Sequence, residues 1–140
     1  MGILSSILTA CAGERPGDLG VRNGQFKECP GSPNCVSSQA ADEAHRITPL
    51  LFTDTAEQAL ARLRKTLAGR PDTTIIAEDP GYLRVEFRTT LFVDDGEFFV
   101  DPEQRQIHVR SASRLGYSDL GKNRSRMEEV RRQFAESAAR

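Results

Sequence analysis

"YLRVEFRT", residues Tyr82 to Thr89, alternates apolar and polar side chains without a break, and this period of two decides the fold class. Leu83, Val85 and Phe87 fall on one side of an extended chain and Tyr82, Arg84, Glu86 and Arg88 on the other, the pattern of a strand with one buried face. Thr73 to Glu78 forms a strand before it, across the turn Asp79-Pro80-Gly81. Leu91 to Asp101 and Gln106 to Ser113 follow as strands joined by the turn-like "DPEQRQ", so consecutive antiparallel hairpins are the natural topology. Gly96 is expected to bulge its strand.

Farther out, Ile47 to Phe52 reads as a first strand, broken at Pro49 and therefore placed at an edge. Asp54 followed by Glu57 resembles a helix start, and Ala56, Ala59, Leu60, Leu63 and Leu67 recur at helical spacing until Gly69 and Pro71 stop them. After Gly121 the period lengthens again, with Met127, Val130 and Phe134 on one face of a closing helix and Asn123 as its expected N-cap. The order is β-α-β-β-β-β-α, an α+β domain whose antiparallel sheet of about four to five strands carries two helices on one face. The opposite face, bearing Arg84, Glu86, Arg88, His108 and Arg110, is expected to stay open to solvent or to a ligand.

A chain of 140 residues has room for one hydrophobic core. Nineteen basic against twenty acidic residues give a net charge of -1 and no general footprint for nucleic acid. No apolar run approaches the roughly twenty residues of a membrane span. The N-terminus is apolar up to Cys11, and Leu8-Thr9-Ala10-Cys11 looks like a bacterial lipoprotein cleavage box, with Cys11 as the lipidated residue. Met1-Gly2 with Ser6 also fits the looser myristoylation pattern, and an unprocessed tail is the third reading. Setting Cys11 aside leaves Cys29 and Cys35 in "CPGSPNC", where turn formers fold the segment back on itself. A disulfide is preferred there over free thiols or a metal site, because the only histidines, His45 and His108, are far away in sequence. The chain therefore divides into a signal and linker over 1–18, an extended disulfide-bearing arm over 19–46 and the α+β core over 47–140.

The chemistry concentrates in "RSASRLGYSDLGKNRSR", Arg110 to Arg126. It contains G-x-x-x-x-G-K, but Asn123 stands where a phosphate loop needs Ser or Thr and no parallel sheet is expected, so a nucleotide hydrolase is excluded. Residues 105–132 hold eight basic side chains against three acidic ones beside a helix start, which favours an anion. The competing reading is a capped turn whose arginines pair with Asp94, Asp95 or Glu97. Those carboxylates lack the further ligands of a calcium loop, and neither metal nor cofactor is expected.

"CPGSPNCVSS", "DDGEF" and "RSASRLGYSDLGKNRSRMEEVR", in this order, resemble domain-of-unknown-function family 1499 of bacteria and plastids over about residues 19 to 135. The pattern residues are Cys29, Pro30, Pro33, Asn34, Cys35, Asp94, Glu97, Phe98, Arg110, Ser111, Ser113, Arg114, Gly116, Asp119, Gly121, Asn123 and Arg124. The resemblance implies an envelope setting and no particular reaction. The leading expectation is a non-enzymatic lipoprotein on the periplasmic side of the bacterial envelope, anchored in the outer membrane. It binds an anionic small molecule, lipid head group or envelope protein through Asp94, Glu97, Arg110, Ser111, Ser113, Arg114, Asp119, Lys122, Asn123 and Arg124. The alternatives are a hydrolase using Asp94, Glu97 and His108, and a structural assembly factor.

Overall fold

The computed structural model describes residues 13–138, so the cleavage box and Cys11 lie outside the described residues. Short strands β1 (Cys35–Ser37) and β2 (Leu50–Leu51) precede helix α1 (Ala56–Ala68), then come β3 (Thr73–Asp79), β4 (Tyr82–Arg88), β5 (Val93–Asp101), β6 (Gln106–Ser113) and helix α2 (Lys122–Ser137). The sheet runs β1-β6-β5-β4-β3, with β2 pairing β6 beside β1. All named pairs are antiparallel.

The order of elements from β2 onward is the expected one, and the sheet is larger by a strand from the arm. Only Leu50–Leu51 of the expected first strand pairs, as the position of Pro49 at an edge requires. β1 lies within the turn-rich arm, where no periodicity announced it; three residues are too few to show one.

Both helices cover the face of β4 that carries Leu83, Val85 and Phe87. Phe98, Ile107 and Val109 from the neighbouring strands and Leu63, Leu67, Met127 and Val130 from the helices complete this core, all fully buried. Helix α1 begins one residue later than Asp54 suggested. Thr55 Oγ1 accepts from Gln58 N at 3.1 Å while Gln58 Oε1 accepts from Thr55 N at 3.1 Å, a reciprocal cap. Asp54 is free of that duty and holds Arg62 at 2.9 and 3.0 Å.

Two local expectations are corrected. Gly96 does not bulge its strand: it sits in register between Val85 and Ser111, and a Cβ there would stand 2.5 Å from the Phe87 ring. The glycine gives Phe87 its room. The irregularity lies instead between Ile75 and Ala77 of β3. Asn123 is not the N-cap either; the cap position is Gly121, at φ +78°, and Asn123 is buried in the first turn.

The larger correction concerns the second face of the sheet, which is covered. Residues from Arg15 to Glu28 lie across it, and Glu86, Asp95, Glu97 and Arg110 beneath are each at most 3% exposed. An arm poor in apolar residues docks there through ions and backbone amides rather than through a hydrophobic stripe, so no pattern of hydrophobicity revealed it.

Candidate functional site

Strand parity divides the expected site residues between the two faces. Asp94 opposes Phe87 and Ser113, and Gly96 opposes Ser111, so Asp94, Ser111 and Ser113 face the helices. Glu97 opposes Arg84 and Arg110, and these three face the arm. The sheet itself separates the two groups, and no single site contains them all.

On the arm side, Glu97 Oε2 accepts from Gly20 N at 2.8 Å and from the Tyr82 hydroxyl at 2.6 Å, with Arg110 Nη1 3.9 Å from its other oxygen. Arg110 also donates to the carbonyls of Lys27 at 2.8 Å and Glu28 at 3.3 Å. Arg114 forks onto Asp95 at 2.9 and 3.0 Å and also reaches Glu86. Arg15 and Arg88 add further bonds to Glu86 at 2.6 and 3.0 Å. Burial alone would raise the Glu86 carboxyl, but hydrogen bonds from Arg15 and Arg114 outweigh it and bring its pKa down to about 2. Burial and the Glu97 charge together push the Tyr82 phenol up. Each of Glu86, Asp95, Glu97, Arg110 and Arg114 thus has a partner in the fold, while Glu97 Oε1 and Arg84 Nε are buried without a hydrogen bond among the described residues.

On the helix side a neutral amide is the hub. Asn123 accepts from the Ser111 hydroxyl at 2.6 Å and donates to Asp119 at 2.7 Å, Ser113 Oγ at 2.9 Å and the Asn34 carbonyl at 3.4 Å. Asn34 in turn donates to the Gly116 carbonyl at 2.7 Å and accepts Ser113 N at 3.0 Å. Asp119 takes the amides of Gly121 and Asn123, each at 2.9 Å, and thereby caps α2 from upstream. Burial alone would raise the Asp119 carboxyl, and the donors from Asn123 and Gly121 hold it below the usual range. Arg124 ties α2 to the carbonyls of Arg46 and Ala44 at 2.8 and 3.1 Å. Asp94 is held by Arg126 at 2.7 Å.

Cys29 and Cys35 form a disulfide with their Cα atoms 5.7 Å apart, which fixes the turn that carries Asn34. The same turn is pinned by His45, whose Nδ1 meets Asp42 at 2.6 Å and whose Nε2 meets the Ser32 carbonyl at 2.8 Å. Both partners are acceptors, so both ring nitrogens carry protons and the ring is cationic. The Ser32 carbonyl, followed by Asp42, raises its pKa.

The hydrolase residues do not converge. Asp94 faces the helices, whereas Glu97 and His108 face the arm, and the bonding partner of His108 is Ser38 Oγ at 3.0 Å. Burial lowers the His108 pKa, leaving a neutral ring at pH 7.

A cleft of about 400 Å³ stays open at one end of the sheet, between the β4–β5 turn and the loop from β6 to α2, and a larger, more open and mostly polar hollow of about 660 Å³ lies against Thr48 and Pro49, lined by His108, Arg124, Arg46 and Glu128. Asp94, Ser113, Asp119 and Lys122 from the expected set reach the cleft, together with Phe92, Leu115 and Leu120, which sequence reasoning did not single out. Leu115 and Leu120 carried a signal as large apolar residues in a loop, where burial is not expected, whereas Phe92 was hidden inside the expected strand Leu91 to Asp101, which begins only at Val93. Asp94 and Asp119 are spent on Arg126 and on α2, but Lys122 has no carboxylate partner among the described residues. No helix among the described residues is long and apolar enough to cross a membrane.

The family model described as "Protein of unknown function (DUF1499)" matches residues 25–134, nearly the whole described chain, and the chain belongs to that family. No curated protein and no solved structure matches it.

Proposed function

We propose that this member of the DUF1499 family is a non-enzymatic binding domain of the bacterial envelope, tethered through a lipidated Cys11 on the periplasmic side of the outer membrane. Its ligand is an amphiphilic anion held in the cleft. The observation that carries this reading is the composition of the cleft: an apolar wall of Phe92, Leu115 and Leu120 beside the one lining cation, Lys122. A pocket with a mostly apolar lining and a few convergent polar groups is the usual form of a small-molecule site. The arginines of the sequence motif support the fold rather than the ligand, because carboxylates and carbonyls already occupy them. The catalytic alternative lacks a convergent acid, base and nucleophile.

The test is a fluorescence titration with 1-anilinonaphthalene-8-sulfonate, an apolar anion, followed by competition with dodecyl phosphate. Wild-type protein binds the probe and releases it to dodecyl phosphate; Lys122→Glu weakens binding by roughly tenfold, the worth of one charge contact in a partly desolvated site. Probe fluorescence that is insensitive to Lys122→Glu and Leu115→Asp, with unchanged melting temperatures, would sink the reading. Native mass spectrometry of protein purified from its own host then identifies the retained ligand.

A further inference from the structure

Five large apolar side chains stand in solvent on the two loops that flank the cleft: Leu91 (64% exposed), Phe92 (55%), Leu115 (44%), Tyr117 (71%) and Leu120 (96%). They come from only two loops, and such grouping in place of single scattered residues marks an interaction surface. Leu120 is also held at φ +55°, a left-handed conformation that is strained for a non-glycine residue. The fold receives no burial in return for that strain.

The described chain starts at this same place. A Cβ on Gly13 would stand 3.1 Å from Leu115 Cγ, and the Gly13 carbonyl accepts from Arg114 Nη1 at 3.5 Å. Cys11 is two residues before Gly13, and two residues span at most about 7 Å whatever path they take. The attachment point of a lipid on Cys11 is therefore tied to the end of the sheet where Gly13 meets Leu115.

We infer that the two loops form a membrane-docking face, whose five side chains seat in the boundary between headgroups and acyl chains. The domain then stands with its sheet end on the bilayer and the cleft opening into it. The charges agree with this placement: Lys122 is exposed at this end and suits a lipid phosphate, while the Asp119 carboxylate is turned into its three N–H donors. The inference rests on the proposed tether at Cys11 for the bilayer's position, and it shares Phe92, Leu115, Leu120 and Lys122 with the wall of the cleft.

The test uses the full chain with Cys11→Ser, which cannot be acylated, in co-sedimentation with vesicles of phosphatidylethanolamine and phosphatidylglycerol. It binds, and adding Phe92→Asp and Leu120→Asp lowers the bound fraction by roughly fivefold or more at an unchanged melting temperature. Equal binding with and without the two aspartates overturns the proposal, as does a wild-type patch that holds a dimer together and ignores vesicles. In the acylated chain on vesicles, amides of 89–92 and 115–121 exchange roughly tenfold more slowly than in the free Cys11→Ser chain, with the 102–105 turn unchanged. Absence of that slowing also overturns it. Intact mass of the wild-type chain from a bacterial host reports acylation at Cys11 separately, so a missing tether and an inert patch are distinct results.

Discussion

The two faces of one sheet are buried by different physics. On the helix side, Phe87, Phe98, Leu63 and Met127 belong to a continuous apolar core whose energy comes mainly from area removed from water, with polar groups at its border, where the Arg126 guanidinium lies 4.8 Å from the centre of the Phe87 ring. On the arm side, Glu86, Asp95, Glu97, Arg110 and Arg114 are buried nearly as deeply, and what holds the cover down is a set of ion pairs and amide bonds. Apolar burial is tolerant, since a trimmed side chain leaves a cavity. An ionic cover is brittle, because each ion that loses its partner stays buried and uncompensated.

The sharpest way to break the contrast is Arg114→Ala, which strips Glu86 and Asp95 of their shared partner; a loss of about 3–5 kcal/mol is expected in urea unfolding. Arg114→Met with Glu86→Gln and Asp95→Asn recovers most of it, whereas an anion-binding arginine would show no such rescue. Phe87→Ala on the other face costs a comparable 3–5 kcal/mol or so through its cavity, but no partner substitution on the arm rescues it.

Acid separates the faces next. Glu86 has a folded pKa of about 2 against an ordinary value of 4.5, so its contribution is complete above 4.5 and lost as pH falls toward 2. That loss is on the order of 3 kcal/mol. Glu86→Gln flattens this limb of the stability profile, and arm amides exchange faster in acid than those under α1 and α2.

Reduction of Cys29–Cys35 is a smaller perturbation, roughly 2 kcal/mol for so short a loop, and its signature is faster exchange in β1 and at Ser113, whose amide donates to the Asn34 carbonyl. The smallest effect belongs to His45. Its folded pKa lies above the ordinary value of 6.5, so its stabilisation is present below 6.5 and fades as pH rises through the folded value. Melting temperature falls modestly on that alkaline side in the wild type and stays level in His45→Gln.

Much of the fold was legible because its signals are local. The alternation in Tyr82–Thr89, the helical spacing from Ala56 to Leu67 and the turn formers between the cysteines each speak within a few residues. The split of the candidate site was legible too, though grouping residues by motif hid it. Asp94 and Glu97 differ by three positions in one strand, and an odd separation places side chains on opposite faces.

By itself the sequence determined the α+β order, the half-apolar sheet, the paired cysteines and the residues that carry charge. Only the tertiary structure decided which charges are free, because the partners come from far along the chain: Arg15 with Glu86, Gly20 with Glu97, Asn34 with Asn123. A polar position in an alternating strand means solvent only when nothing polar arrives to cover it. Here the arm arrives, so the charged face became a second core and the open surface fell to the loops at the end of the sheet.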